Sequence, residues 1–466
     1  MPYNSDSESC GSCSVICNET KGNNRSTLPC FSKLPALLPK KRQQENSPSL
    51  PTRPSRLSLN IYRQRAHSRL IKDYFAENPV YDDVCFRKRF RMRKHLFLRI
   101  VEALGNHSKY FRERHDDDGR RRYSPLMKCT AAMRILAYGT ESDVLEDYLQ
   151  LGDNTTVECV REFAEGVVDV FGEQYLRRPN EADTARLLAA GEARGFPGMM
   201  GSIDYMHWEW DDCPRAWRRF CRIKDQKGEN PTLVAEIAAS HDLWIWHAFL
   251  GHLGNWNDIW LIERDGLFMD LCLCQPPKCE YMVNNRKYDT GYYVTNDVYP
   301  RSAAFVKPVP LAQDEKAKLF AQHQEMVRRD AKRAFEVLQT RFAIVAGPPR
   351  FYYRNVLQQI IRACIILHNM IIEDERDSDE LANDFSYEDA EDGVPTPQFS
   401  QDHLPQYEGH IRTWVRCGPD VDVLHYSAGF IRIWGGEEED DEQVRQHLQL
   451  QADLVEEVWQ RFGSKD

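Results

Sequence analysis

Two aspartates in the middle of the 466-residue chain have surroundings typical of metal ligands. Asp204 lies in the run GSIDYMHW (201–208), an apolar segment of strand type where a carboxylate is costly unless it is paired or bound to a metal. Asp258 follows the apolar segment 243–251, where a strand would end in a loop at the edge of a sheet. Carboxylates suit Mg²⁺ or Mn²⁺, and two such ions roughly 3.5–4 Å apart can activate water for phosphodiester cleavage. The pair therefore indicates a metal-dependent nuclease site, and two structural aspartates are the alternative.

Strands followed by helices would position these residues. The pattern predicts short, apolar strands over Gly201–Trp210, Thr232–Ser240 and Leu243–Gly251. Helical periodicity follows over Asp314–Phe342 and Asn355–Ile372. This order predicts an α/β fold in which helices pack over a central sheet.

A basic helical region precedes the sheet. From Phe86 to Leu104 the apolar residues mark one stripe of a single helix, and six basic residues occupy its other face. A second basic cluster follows at 120–122. These residues are candidate phosphate contacts of a DNA-binding region. They are Arg87, Lys88, Arg89, Arg91, Arg93, Lys94, Arg120, Arg121 and Arg122.

Three further helices are predicted at Met127–Tyr138, Ser142–Leu151 and Asn154–Val170, with a short break at 152–153. Two helices joined by a tight turn are typical of a helix-turn-helix, in which the second helix enters the major groove. Its first residues would then meet the bases, and we expect this of Thr155, Thr156 and Arg161. A plain helical bundle is the alternative.

The charge of the chain is unevenly distributed. The formal net charge is -10, yet residues 53–125 hold nineteen Lys and Arg against nine Asp and Glu, a local +10. Residues 371–466 hold seven against twenty-five, a local -18. A basic block favours a polyanion such as nucleic acid, and an acidic tail favours a solvated segment. Two ordinary solvated surfaces are the alternative.

The composition divides the chain into five parts. We predict a disordered tail over 1–55, the basic helical region over 56–180, the sheet domain over 181–378, an acidic irregular segment over 379–440, and an amphipathic helix over 441–466. The apolar face of that last helix would consist of Val444, Leu448, Val455, Trp459 and Phe462.

The sequence also bears on the compartment. The longest apolar run, 360–372, is interrupted by Arg362, His368 and Asn369, and the first residues have no signal-peptide pattern, so we expect neither a membrane span nor secretion. Fourteen cysteines in 466 residues are too few for a disulfide scaffold, which favours a reducing compartment. The basic run at 40–42 is of the kind found in nuclear import signals.

Eight runs of sequence carry a resemblance to a known family. They are FRKRFRMRKHLFLRI (86–100), TARLLAAGEARGFPGMM (184–200), GSIDYMHWEWDDCPRAW (201–217), ASHDLWIWHAFLGHLGNWNDIWLI (239–262), YDTGYYVTNDVYPRSAAFVK (288–307), LFAQHQEMVRRDAKRAFEVLQTRFAIVAGPPRFY (319–352), ACIILHNMIIEDERD (363–377) and QLQADLVEEVWQRFG (449–463). In these runs the chain resembles the PIF/Harbinger transposases of the plant-transposon-protein type.

The resemblance implies a nuclease and its partners. It implies an RNase H-like mixed sheet flanked by helices, a triad of two aspartates and one glutamate that binds Mg²⁺ or Mn²⁺, and a helical DNA-binding region before the sheet. It also implies double-stranded terminal-repeat DNA as substrate, a Myb-like accessory protein, a possible oligomer, and action in the nucleus after synthesis in the cytoplasm.

The site residues of the family carry over only in part. Asp204 and Asp258 fall on the first two acids, but Lys332 stands where the family has its glutamate. Glu336, one helical turn or about 5.4 Å further on, is the candidate replacement. The family's aspartate before a Tyr-Pro pair falls on Asn296, with an aspartate one place late. The resemblance therefore implies a transposase-derived protein with impaired catalysis, and a non-enzymatic DNA-binding or partner-binding protein is the alternative.

Overall fold

The computed structural model describes residues 56–112, 122–139, 145–221, 231–253, 278–296, 299, 301–309, 314–347, 351–376 and 442–463. Asp258, Arg120, Arg121, the predicted tail and the predicted acidic segment lie outside these ranges.

Helices form most of the described chain. A single π-helical turn, Ile71–Phe75, continues the first of them. In chain order they are α1 Arg56–Leu70, α2 Asp83–Phe90, α3 Lys94–His107, α4 Pro125–Tyr138, α5 Glu146–Leu149, α6 Asp153–Tyr175, α7 Glu181–Ala193, α8 Arg218–Cys221, α9 Glu315–Arg341, α10 Ala343–Ala346, α11 Arg354–Arg376 and α12 Glu442–Phe462.

Five strands form one mixed sheet. The structure describes seven strands in all, which are β1 Met199–Glu209, β2 Thr232–Ala239, β3 Ile245–Leu253, β4 Lys278–Val283, β5 Arg286–Thr290, β6 Tyr292–Val294 and β7 Phe305–Val306. The sheet order is β3-β2-β1-β6-β7, and β4 pairs with β5 in a separate hairpin. Strand β2 runs antiparallel to β1 and β3, whereas β1, β6 and β7 are parallel. The predicted α/β architecture is confirmed, and the three predicted strands lie within two residues of their observed bounds.

The basic segment 86–104 forms two helices, so the prediction of one continuous helix is wrong. Arg91 ends α2 in the left-handed conformation, with a φ of 61°, and its backbone N–H bonds to the carbonyl of Arg87. Helix α3 then starts after the extended residue Arg93. The break turns Phe86, Phe90 and Phe97 into one buried aromatic cluster.

The helical region and the sheet share one core. Buried residues of α1 to α4 and α6 belong to the same cluster as those of the sheet, α9 and α11. Asn369 of α11 fixes part of this arrangement, because its amide donates to the carbonyls of Tyr175 and Ile245, both at 2.7 Å, and accepts the N–H of Ile245 at 2.9 Å. The boundary predicted near residue 180 therefore does not separate two cores.

Helix α11 is long and apolar enough to cross a bilayer, but 78% of its most apolar window is buried inside the protein. His368 interrupts that window and is fully buried, with its ring 2.9 Å from the carbonyl of Leu243. We therefore assign α11 as the core helix of the fold.

Helix α12 is confirmed, but its predicted apolar face is only partly right, since Val455 packs against buried residues and Phe462 stacks on His323 while Leu448 is exposed. Leu450, Leu454 and Val458 are buried in a second core with residues of α9, the hairpin and β6, whereas Leu448 and Phe462 are 48% and 42% exposed. The helix has two apolar stripes, and contact with α9 and the hairpin buries the one that includes Leu454.

Replacing Leu454 with alanine is expected to lower the free energy of unfolding by about 2–5 kcal/mol, because a fully buried leucine leaves a cavity. Leu448→Ala is the matched control on the same helix, and we expect it to change stability by less than about 0.5 kcal/mol. Urea unfolding of the two variants measures the difference. Equal losses would mean that the buried stripe has been assigned wrongly.

Candidate functional site

The face of β1 that carries Asp204 packs against α9. On this face the Ser202 hydroxyl accepts the backbone N–H of Ala331 at 3.0 Å, and the Gln339 amide contacts the Met206 sulfur at 3.5 Å. Side chains at alternate strand positions share a face, so Asp204 points to the same helix.

Asp204 is paired with a cation from that helix. One carboxylate oxygen lies 3.7 Å from Nη1 of Arg328, and the other accepts the backbone N–H of Tyr205 at 3.0 Å. The side chain is only 17% exposed, and its burial raises the pKa above 3.8. Arg328, the Tyr205 N–H and then Lys332 act against this rise and lower the pKa. The pairing explains how a carboxylate is tolerated inside an apolar strand.

Four exposed or partly exposed cations lie along α9, and two of them, Arg328 and Lys332, act on this aspartate. Arg328, Arg329, Lys332 and Arg333 share one side of the helix, since they are spaced by one, three and four residues, and we call them the α9 basic face. Asp330 interrupts the run in sequence but is buried and pairs with Arg194.

Glu325 is the carboxylate that joins Asp204 at this face. It accepts two hydrogen bonds from Arg328, at 2.8 and 3.0 Å, and one from Arg329 at 3.5 Å. The charge of Glu325 raises the pKa of Asp204 slightly. Burial would raise the pKa of Glu325 itself, but the hydrogen bonds and charges of Arg328 and Arg329 outweigh this effect, so that its pKa is lowered. Arg328 is therefore shared between two carboxylates.

Lys332 lies close enough to Asp204 to lower the pKa of that carboxyl group. The resemblance implies an acid at this position, whereas the structure has a cation beside Asp204. Glu336 is exposed, and its carboxylate makes no hydrogen bond or ion pair within the described residues. The structure therefore gives no contact that would bring Glu336 into this site.

The parallel neighbour of β1 ends close to Asp204 along the chain. Ser202 pairs with Val294, the last residue of β6. Asn296 and Asp204 each lie two residues beyond this pair, so we expect them to lie near each other. Gln324 of α9 holds this strand end, because its amide donates to the Thr295 carbonyl at 3.2 Å. Asp258 lies outside the described residues, so its expected approach to Asp204 stays a prediction.

The described residues of the site do not fit a divalent metal. No group of three or more His, Cys, Asp or Glu side chains with suitable spacing occurs in the part of the chain that the structure describes. Asp204 is faced by two cations, which compete with a metal for its oxygens and repel a positive ion.

Four of the residues predicted to contact phosphates bind inside the protein instead. Arg87 forms an ion pair of 2.6 Å with the buried Glu375, and Arg93 lies 3.7 Å from Asp374. Arg89 donates to the Tyr74 hydroxyl, and Arg91 is buried. Lys88 and Lys94 are half-buried, whereas Arg122 is exposed. The expected solvated basic face on α2 and α3 is therefore wrong, because the helix break and these partners turn most of it inward.

The predicted recognition helix is an acidic core helix. Thr156 is fully buried, and its hydroxyl donates to the Gly152 carbonyl at 3.4 Å, whereas Thr155 is half-buried. Arg161 is exposed but paired with Glu162 at 2.9 Å. Neighbouring carboxylates raise its pKa, first through the Glu162 hydrogen bond. Helix α6 packs on α4 and α11 with its other side. Burial removes Thr156 from the expected DNA-reading surface, and the role of Thr155 and Arg161 stays a prediction.

Replacing Asp204 with asparagine is expected to raise the free energy of unfolding at pH 7. Burial raises the pKa of Asp204 in the folded protein above its pKa in the unfolded chain. The stability that this carboxyl group contributes is therefore fully present below the unfolded pKa, and it is lost as pH rises through the folded pKa. The asparagine variant avoids this loss, and Arg328 keeps Glu325 as partner.

Thermal unfolding at pH 5 and pH 7 measures this effect, which should be larger at pH 7. Asp212→Asn is the control, since Asp212 is exposed. A lower melting temperature for the Asp204→Asn variant at both pH values would contradict the assignment.

Two family models match parts of the chain, and one of them covers the region of Asp204. Residues 173–379 match a family model described as plant transposon protein, and residues 67–105 match a domain of unknown function. Neither the curated proteins nor the solved structures gave a significant match. The first match supports a transposase-related family for the part of the chain that contains the sheet, α9 and α11.

Proposed function

We propose that this chain derives from a PIF/Harbinger-type transposase and binds double-stranded DNA through the α9 basic face without cutting it. The transposon-protein match and the eight sequence runs support the ancestry. A five-stranded mixed sheet covered by helices is compatible with the RNase H-like core that this ancestry implies.

One observation carries the loss of cleavage. Arg328 and Lys332 both act on Asp204, and Lys332 stands where the resemblance implies a metal-binding glutamate. A nuclease needs carboxylates there to concentrate positive charge around the reacting phosphate. Here the protein supplies that positive charge itself, as guanidinium and ammonium groups that hydrogen-bond to phosphate oxygens.

The same four cations support a phosphate-binding role. Arg329 is 63% exposed, and Lys332 and Arg333 are exposed on the same helix side. Two of the cations share Glu325, which leaves a net positive face next to a partly neutralised aspartate. Electrostatic binding of this kind recognises the DNA backbone rather than a sequence.

Further parts of the proposal rest on the resemblance alone. We propose action in the nucleus, where the DNA is, a Myb-like accessory protein that supplies sequence preference, and an oligomer as a further possibility. Mg²⁺ or Mn²⁺ would be the cofactor of the ancestral enzyme.

Fluorescence anisotropy with a labelled duplex of about 30 base pairs tests the DNA-binding proposal on the full chain. Neutralising about four phosphates predicts a slope of about -3.6 for log affinity against log salt. Calorimetry with Mn²⁺ and a plasmid-nicking assay test the loss of metal chemistry, and we expect neither saturable binding nor nicking. A salt-independent affinity, or nicking that requires Mn²⁺, would contradict the proposal.

A further inference from the structure

Three aromatic side chains are exposed together near the carboxyl end of β1. Trp217 is 39% exposed, and Tyr352 and Tyr353, which precede α11, are 57% and 66% exposed. The two tyrosine rings meet edge to face, with 5.3 Å between their centroids. The guanidinium carbon of Arg354 lies 6.0 Å from the centre of the Trp217 ring, which joins the two segments. We call these four residues the aromatic platform.

The platform is held by buried contacts beneath it. Trp210 is 1% exposed, and its ring meets that of Trp217 edge to face at 6.4 Å. The Trp210 indole N–H also donates to the carbonyl of Phe351 at 2.9 Å. One buried tryptophan therefore contacts both segments.

Arg354 has no acidic partner within the described residues. It is half-buried, its Nε is buried without a hydrogen bond, and burial lowers its pKa. The Cys221 thiol is the group that raises this pKa. The exposed acids of the neighbouring turn, Asp211 and Asp212, are balanced by the exposed Arg215 and Arg218. The cation of Arg354 is therefore left for a ligand of negative charge.

We propose that the aromatic platform binds a single-stranded segment of DNA, with bases stacked on Trp217, Tyr352 and Tyr353 and a phosphate held by Arg354. Aromatic faces beside an unpaired cation suit this ligand, because every unpaired base offers a face to stack and every nucleotide carries a phosphate. In an intact duplex the bases are already stacked on one another, so the duplex does not use these rings.

The inference does not rest on the proposed function. Trp210 lies six residues along the strand from Asp204, or about 20 Å at roughly 3.3 Å per residue. The platform is thus a second surface, and the two surfaces can be tested separately.

The test measures the affinity of the full chain for a labelled dT12 oligonucleotide by fluorescence anisotropy at low salt. We expect Tyr353→Ala to weaken dT12 binding by about 5- to 100-fold. Arg354→Met should weaken it by a similar factor while leaving the affinity for duplex DNA unchanged. Tyr62→Ala and Arg445→Met are the controls, since Tyr62 is 46% exposed on α1 and Arg445 is exposed on α12, and we expect no change from either.

An abasic oligomer of the same length separates stacking from charge. It should bind at least tenfold more weakly than dT12 if the rings hold the bases. Equal affinity for the abasic oligomer, or an unchanged affinity of the Tyr353→Ala variant, would overturn the inference. So would a loss of dT12 binding that follows only from changes on the α9 basic face. Circular dichroism confirms that each variant folds, which the exposure of Tyr353 favours.

Discussion

The double variant Lys332→Glu, Asn296→Asp is expected to bind Mn²⁺ on the order of 100-fold more tightly than the natural chain. The first change replaces a cation beside Asp204 with a carboxylate, and the second adds a carboxylate two residues after the end of β6, where we expect it to lie near Asp204. Together they change the local charge by three units in favour of a divalent ion. Isothermal titration calorimetry measures the affinity.

Plasmid nicking is the second readout of this variant. Metal binding should return before cleavage, since cleavage also depends on the placement of the DNA and on geometry at the sub-ångström level. Lys318→Glu is the matched control, because Lys318 is exposed on the same helix, fourteen residues or about 21 Å from Lys332. If the natural chain binds Mn²⁺ as tightly as the double variant, the cations beside Asp204 do not exclude metal. Loss of such binding in Glu336→Gln would assign it to Glu336.

Reversing the two outer charges of the α9 basic face, in Arg329→Glu, Arg333→Glu, is expected to weaken duplex DNA binding about 100-fold at low salt. Each lost phosphate contact also reduces the salt slope by about one, so the slope should fall by about two. Both residues are exposed, and neither contacts Asp204, so the fold and the Asp204 pair should survive the changes. Anisotropy over a salt series measures both quantities.

The control for this variant carries the same change of charge elsewhere. Arg161→Glu, Arg445→Glu reverses two exposed arginines on α6 and α12. We expect its duplex affinity to fall by less than threefold, as general repulsion alone would give. A loss equal to that of the α9 variant would indicate that net charge, rather than the α9 basic face, governs binding. A specific loss of sequence preference would return α6 to consideration as a recognition helix.

The strands and the long helices of the sheet region were predictable, because their periodic patterns are long and their partners lie in the core. The break at Arg91 was not, since arginine gives no local signal for a left-handed backbone. The buried stripe of α12 depended on which surface it meets, and no pattern within the helix distinguishes Leu454 from Leu448. Tertiary contact decided both cases.

The candidate site was predictable in its residue types and less so in its partners. Asp204 and Lys332 stand out from the sequence, the first as an acid in a strand and the second against the family pattern. Arg328 and Glu325 were missed. They lie one and two turns before Lys332, and this spacing could have suggested that the three residues share one side of the helix. Which of the cations reach the strand depends on the rotation of α9 against β1, which the sequence does not give.

The docking of α12 has a consequence for the order in which this protein is made. Sixty-five residues separate Arg376, the end of α11, from Glu442, the start of α12. At about 5–20 residues per second the ribosome needs about 3–13 s to add them. During that interval α12 is absent, so the apolar residues that pack with Leu454, among them Phe196 and Phe320, are exposed to solvent. The nascent chain then presents an apolar surface to which chaperones bind. A message with a premature stop codon before residue 442 would make that exposure permanent, and the product would be a substrate for degradation.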